Sequence, residues 1–170
     1  MKVITIGGSG FVGTRLLGLL TDAARENGES WDVKNVDIAP SHFFPDVTVN
    51  GDARVREDME RELKGADMVV LLAAQHRDDI WPTDLYYETN VGGMKTVLSA
   101  MEHCGVKRIL FFSSVAVYGR NKRCPDENHE KDPFNHYGKS KWEAEKVLRS
   151  WWENGHSDWN VTVVRPTVIF

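Results

Sequence analysis

Tyr137-Gly138-Lys139-Ser140-Lys141 sets a phenol and an ammonium four residues apart. On a helix that spacing puts both on one face. A phenol is a poor base at neutral pH, because its pKa lies near ~10. A neighbouring ammonium stabilises the phenolate and draws that pKa down. Tyr137 and Lys141 can then exchange a proton with a substrate hydroxyl. The same stripe runs on through Ala144, Leu148 and Trp151, which equally suits a helix packed on a core. A second hydroxyl stretch, Ser113-Ser114-Val115-Ala116-Val117-Tyr118-Gly119, follows the apolar run Ile109-Leu110-Phe111-Phe112. A serine where a strand leaves a sheet can bond a reacting oxygen, or can cap a turn.

Oxidation of the carbinol, with hydride leaving its carbon as the proton leaves its oxygen, needs an electron acceptor beside it, and the N-terminus offers a place for one. Gly7-Gly8-Ser9-Gly10-Phe11-Val12-Gly13 lies between the apolar run Val3-Ile4-Thr5-Ile6 and an amphipathic run from Thr14 to Arg25. Strand, glycine turn and helix start in that order make a dinucleotide pyrophosphate site. Gly7 takes the tight turn, Gly10 admits the phosphates, and Gly13 lets the helix pack close to the strand. Asp37 ends the next strand and can accept bonds from adenosine ribose hydroxyls. It would repel a 2′-phosphate, and no Arg or Lys follows closely, so NAD is expected rather than NADP. Asp52, in Gly51-Asp52-Ala53-Arg54, can bond the adenine amino group or cap the helix near Arg54. Leu72-Ala73-Ala74-Gln75 supplies small residues where the fourth strand meets the cofactor.

These residues need a scaffold that brings strand ends together. Strands are expected at about 2–7, 33–37, 47–49, 67–73, 107–113 and 161–165. Helices are expected at about 11–26, 54–64, 83–103 and 136–154. Continuous apolar runs such as Met68-Val69-Val70-Leu71-Leu72 suit a parallel sheet buried on both faces. The alternation predicts an α/β fold with a doubly wound parallel sheet, the Rossmann fold. In helix 83–103, Asn90, Val91, Met94, Val97, Leu98 and Met101 share a face, so Asn90 needs a buried partner. The polar stretch 119–135 reads as a long loop, either functional or a solvated excursion.

Composition narrows the function. The chain has 170 residues, net charge −4 and no basic block, so nucleic acid is not an expected partner. No apolar run approaches the ~20 residues that span a bilayer, and the N-terminus carries no signal pattern. Cys104 and Cys124 form no metal-type spacing, no metal is expected, and a reduced, cytoplasmic setting fits. The chain ends on Val161-Thr162-Val163-Val164-Arg165-Pro166-Thr167-Val168-Ile169-Phe170 without a cap or polar tail. That end suggests that residues 1–170 are the N-terminal, cofactor-binding domain of a longer protein.

The order of these motifs, with Thr89-Asn90-Val91-Gly92-Gly93 between them, resembles the extended short-chain dehydrogenase/reductases. The nearest resemblance is to their NAD-dependent epimerase/dehydratase group. It implies that Ser114, Tyr137 and Lys141 are catalytic, with Tyr137 as proton acceptor and Lys141 also holding the nicotinamide ribose. Phe11 and Val12 would give amides to the pyrophosphate, Asn90 would support the site, and Pro166 and Thr167 would approach the nicotinamide. Dehydratases of this group carry an Asp-Glu pair where Val115 and Ala116 stand here, so the resemblance favours an epimerase. Its expected reaction is NAD-dependent epimerisation of a nucleotide sugar through a keto intermediate. A sugar or alcohol dehydrogenase/reductase is the first rival and a non-catalytic NAD sensor the second. The group's C-terminal substrate region is expected to lie beyond these residues, so the 170-residue chain is expected to bind NAD and to turn sugars over poorly. Helices 83–103 and 136–154 are the expected homodimer face, with Trp142, Trp151 and Trp152 on the second of them; Trp31, Trp81 and Trp159 have no assigned role.

Overall fold

The computed structural model describes residues 1–26, 31–120 and 124–167. Six strands form one parallel sheet: β1 (Lys2–Ile6), β2 (Asp32–Asp37), β3 (Thr48–Asn50), β4 (Met68–Leu71), β5 (Arg108–Phe112) and β6 (Asn160–Val164). Their spatial order is β3-β2-β1-β4-β5-β6. The order reverses between β1 and β4, and a crevice opens there beyond the strand ends. The helices are α1 (Phe11–Glu26), α2 (Arg56–Leu63), α3 (Asp84–Tyr87), α4 (Gly93–Cys104) and α5 (His136–Glu153). The expected Rossmann fold is the one found. Ile4, Ile6, Val69, Leu71, Ile109 and Phe111 are fully buried at its centre, as apolar central strands require.

One expected element is broken in two. The helix foreseen at 83–103 has a π-helical turn at Glu88–Gly92, between α3 and α4. The wider turn places Asn90 inward, and the buried stripe then continues through Met94, Val97, Leu98 and Met101. The partner Asn90 needed is present twice. Its Oδ1 accepts the Gln75 N–H at 2.8 Å, and its Nδ2 donates to the Gln75 carbonyl at 3.1 Å and to Ser140 Oγ at 2.8 Å.

Two other expectations shift. Val55, not Asp52, precedes α2, and no side chain caps that helix. The loop before α5 folds back on the short 3-10 helix that follows β5: Asp132 N–H donates to the Val117 carbonyl at 3.1 Å. Residues 121–123 of that loop, and Val168 to Phe170 at the end, lie outside the described residues.

Candidate active site

The glycine turn is tied down by a residue of the neighbouring strand. Asn35 Oδ1 accepts the Gly8 N–H at 2.8 Å and the Thr5 hydroxyl at 3.0 Å. Its Nδ2 donates to Ser9 Oγ and Thr48 Oγ1, each at 3.1 Å. Asn35 is fully buried, so each of these bonds replaces one that water would make. Gly7 turns with φ +85°, and an added Cβ would stand 2.4 Å from the Ala73 nitrogen. Gly7→Ala is therefore expected to cost about 3 kcal/mol or more. Urea unfolding checks this, and an unchanged midpoint would contradict it. A Cβ on Gly13 would strike the Gly8 backbone at 2.4 Å, so Gly13 packs against the turn itself rather than the strand. A Cβ on Gly10 meets nothing within 4 Å, although Gly10 lines the cavity. No contact within the chain requires glycine there, which leaves room for a ligand's close approach.

That cavity, of about 600 Å³, runs along the switch point. One end is bounded by Gly7, Gly10, Phe11, Val12 and Gly13. α1 starts there, with the Thr14 N–H donating to the Gly10 carbonyl at 2.9 Å. The N–H groups of Phe11, Val12 and Gly13 belong to the first turn and have no partner within the helix, a ready anion cradle. Asp37 lies on the adjacent wall, where its two oxygens accept the Ser9 and Ala39 N–H groups at 2.9 Å each. A carboxylate oxygen has capacity for a further donor such as a ribose hydroxyl. Asp52 and Ala53 are on the same wall. Arg54 grips Asp52 through Nε at 3.0 Å and Nη2 at 2.6 Å. That hydrogen bond is the main reason the Asp52 carboxyl lies below its ordinary range. Arg54 itself lines the cavity, as do Ser9, Ile38 and Ala39, none of which the sequence singled out.

The other end holds the proton-transfer residues. Leu72, Ala73, Ala74 and Gln75 form the wall after β4, and Ser114, Tyr137, Lys141, Pro166 and Thr167 gather at the far end. Of the residues singled out from the sequence, only Asn90 stays off the lining, its amide being engaged with Gln75 and Ser140. It holds the β4 wall to α5 from behind. Thr89, beside it in the π turn, does line the cavity. Its Oγ1 is the one buried side-chain polar atom without a partner among the described residues.

Ser114 fills both roles its position allowed. Its Oγ accepts the Ala116 N–H at 3.1 Å, capping a 3-10 helix at Val115–Tyr118. Its hydroxyl also neighbours the Tyr137 phenol and, as a hydrogen-bonding group, draws the phenol's pKa down. Burial outweighs it, and together with the Asp78 carboxylate it holds the phenol above its ordinary value. The expected lowering by Lys141 is not found. The Lys141 ammonium is fully buried and donates to the Phe112 carbonyl, with the Phe111 ring 4.3 Å away. Burial pushes its pKa down to about 7, opposed by the Glu145 carboxylate. Sharing a helix face brought the two groups close, but the lysine turns toward the end of β5.

The model of the NAD dependent epimerase/dehydratase family matches residues 3–170. The chain belongs to that family. Among members, an N-acetyl-α-D-glucosaminyl-diphospho-ditrans,octacis-undecaprenol 4-epimerase of Escherichia coli O157:H7 is 55% identical over 169 residues, covering 99% of this chain and 49% of its relative. A UDP-glucose 4-epimerase of Vibrio cholerae is 33% identical over 99% of this chain and 52% of its own length. The chain thus spans about half the length of the curated relatives it matches. Among solved structures, a dTDP-glucose 4,6-dehydratase double mutant of Streptomyces venezuelae with NAD bound superposes with a TM-score of 0.86 at 26% identity, over 97% of this chain and 55% of the other. A UDP-glucose 4-epimerase of Brucella ovis with NAD gives 0.83 at 25% identity, over 96% and 51%.

Proposed function

We propose that this chain carries the NAD-holding and proton-transfer part of a 4-epimerase acting on a sugar joined to a diphosphate. The observation that carries the reading is that Ser114, Tyr137 and buried Lys141 line the same cavity as the anion cradle at the start of α1. The residues fit the cofactor: glycine at Gly10 leaves space, the first turn of α1 offers N–H groups, and Asp37 offers a carboxylate rim. Ala73, Ala74, Pro166 and Thr167 would flank the nicotinamide. When bound, NAD supplies a reversible two-electron acceptor.

The chain's own residues manage the proton. Tyr137 takes it from the sugar C4 hydroxyl, and the Ser114 hydroxyl bonds the same oxygen. The resulting keto sugar turns in the site, and Tyr137 returns the proton on completion of the opposite configuration. Lys141 supplies positive charge near the phenolate and holds the nicotinamide ribose. Val115 and Ala116 have no proton to give, which favours epimerisation over loss of water. A nucleotide sugar is the first substrate reading, after the UDP-glucose 4-epimerases among the relatives. A polyprenyl-diphosphate sugar is the second, favoured by the 55% identical relative, whose named substrate is of that kind.

The test is to supply the native gene product with NAD and, in turn, UDP-glucose, UDP-N-acetylglucosamine and polyprenyl-diphospho-N-acetylglucosamine. Inversion at C4 without accumulated reduced cofactor is the expected result. Reduced NAD formed in step with oxidised sugar would make the protein a dehydrogenase instead. Firm NAD binding with neither reaction would make it a sensor.

We further propose a homodimer through the outer faces of α4 and α5. Trp142 is the half-buried aromatic offered to it. Trp151 and Trp152 are engaged within the chain, with Trp151 stacked on His156 and Trp152 bonded to the Trp159 carbonyl. The free thiols of Cys104 and Cys124 suit the cytoplasmic setting proposed for the reaction, and no helix among the described residues is long and apolar enough to cross a membrane.

A further inference from the structure

Behind the cavity lies a guanidinium that the proposed proton transfer does not use. Arg165 follows the last residue of β6 and precedes the cavity-lining Pro166. All three of its side-chain nitrogens donate hydrogen bonds. Nε meets Glu145 Oε1 at 2.9 Å and Nη2 meets Oε2 at 2.6 Å, a fork closed on a carboxylate that is only 5% exposed. Nη1 donates to the Tyr118 hydroxyl at 2.8 Å and to the Glu127 carbonyl at 3.4 Å. Ser113 Oγ donates to the same Glu145 oxygen that Nε meets. Arg165 thus joins the exit of β6 to the exit of β5 and to α5, through Glu145. Through Tyr118 and Glu127 it also reaches the 3-10 helix and the loop before α5.

We propose that Arg165 is a positioning residue of this site, whose grip on Glu145 and Tyr118 fixes the β5 and β6 exits against the helix that carries Tyr137 and Lys141. This rests on the 4-epimerase reading for its purpose. The groups assigned to proton transfer sit on separate segments, Ser114 just past β5 and Tyr137 and Lys141 in α5. The two strand exits bond to each other through the backbone, Ser113 N–H to the Val164 carbonyl at 2.7 Å and Val115 N–H to the Pro166 carbonyl at 3.2 Å. Ser114 lies between those bonds. The Lys141 bond to the Phe112 carbonyl ties α5 to the strand before Ser114. Arg165 adds the tie after it. Ser114 caps one end of the 3-10 helix and Tyr118, held by Arg165, is its other end. A reacting group displaced by about 1 Å can lose about 10²-fold in rate, so such ties bear on catalysis without touching substrate. A planar fork suits the task, because a lysine offers one point of contact where Arg165 meets both Glu145 oxygens.

The test has a ligand-free arm and a turnover arm. Its main variant is Arg165→Met with Glu145→Gln, which leaves no unpaired buried charge. Arg165→Lys keeps the charge without the fork, and takes its place should the double variant not fold. In the ligand-free chain, amide hydrogen exchange is followed by NMR. The Ser113 and Val115 amides are expected to exchange about tenfold faster or more in the variant, with the amides inside β5 within about threefold of the parent. Unchanged exchange at Ser113 and Val115, or equal acceleration throughout β5, overturns the proposal. In the native gene product, kcat for C4 inversion is expected to fall about 10–10²-fold with KM within about threefold. In a Ser114→Ala background the same changes are expected to cost less than about threefold more, because the group being positioned is gone. Full additivity with Ser114→Ala overturns the proposal. Exchange uses neither cofactor nor sugar, so a native protein that shows no C4 inversion ends the 4-epimerase reading while the exchange result still decides for or against Arg165.

Discussion

Tyr137→Phe is expected to slow C4 inversion by the native gene product by about 10²–10⁴-fold while leaving NAD affinity within about threefold. The ring and its packing remain, and only the phenolic oxygen is lost. The step that fails is proton transfer, so kcat falls and KM holds. Equal rates in Tyr137→Phe and parent would end the catalytic reading, and would suit the sensor. The parent should also show an alkaline-rising rate. Burial and Asp78 hold the phenol above its ordinary value, so its ionised fraction grows as pH rises. Asp78→Asn removes a like charge and should shift that limb to lower pH.

Lys141→Met should move stability and activity in opposite directions. The Lys141 pKa is lowered from the ordinary 10.5 to about 7 in the folded chain. Between those values the unfolded chain binds the proton and the folded chain does not. Stability therefore rises with pH across that window, and the penalty is fully present below it. Met fills similar space without charge, at the loss of one bond to the Phe112 carbonyl. The variant is expected to gain on the order of 2–4 kcal/mol near neutral pH. The gain should shrink as pH approaches about 10. Urea unfolding of the two ligand-free proteins at several pH values reads the difference, and a pH-independent gap would refute the assignment. C4 inversion should fall together with NAD affinity, since the ammonium no longer meets the ribose or favours the phenolate.

What the sequence made legible was what short spacing controls. The glycine turn, the Tyr137–Lys141 interval and the apolar strand runs are local patterns, and the fold and the cavity lining followed from them. The rest depends on partners far apart in the chain. Asn35 looks like an unremarkable polar residue within a strand until β2 lies beside β1 and its amide reaches Gly8. Arg54 does not follow Asp37 closely in the sequence, yet both line the cavity. Glu145 is one more acid on a charged helix until Arg165, 20 residues on, closes over it. The direction of the Tyr137 shift also needed the fold, because helix spacing set the distance to Lys141 but not which neighbour the ammonium would choose. The π turn had no signal, since a single extra residue leaves the apolar stripe readable on either side.

The amide of Asn35 has a consequence for assembly of the sheet. Thr5 and Asn35 are register partners across β1 and β2. A slip of one residue would turn the amide to the opposite face and present Lys34 or Val36 to the glycine turn. The Gly8 N–H would then lose its acceptor, and the turn would lose the bond that shapes it. The anion cradle thus forms only on a correctly aligned strand pair, so cofactor capture discriminates between a properly zipped sheet and a misaligned one.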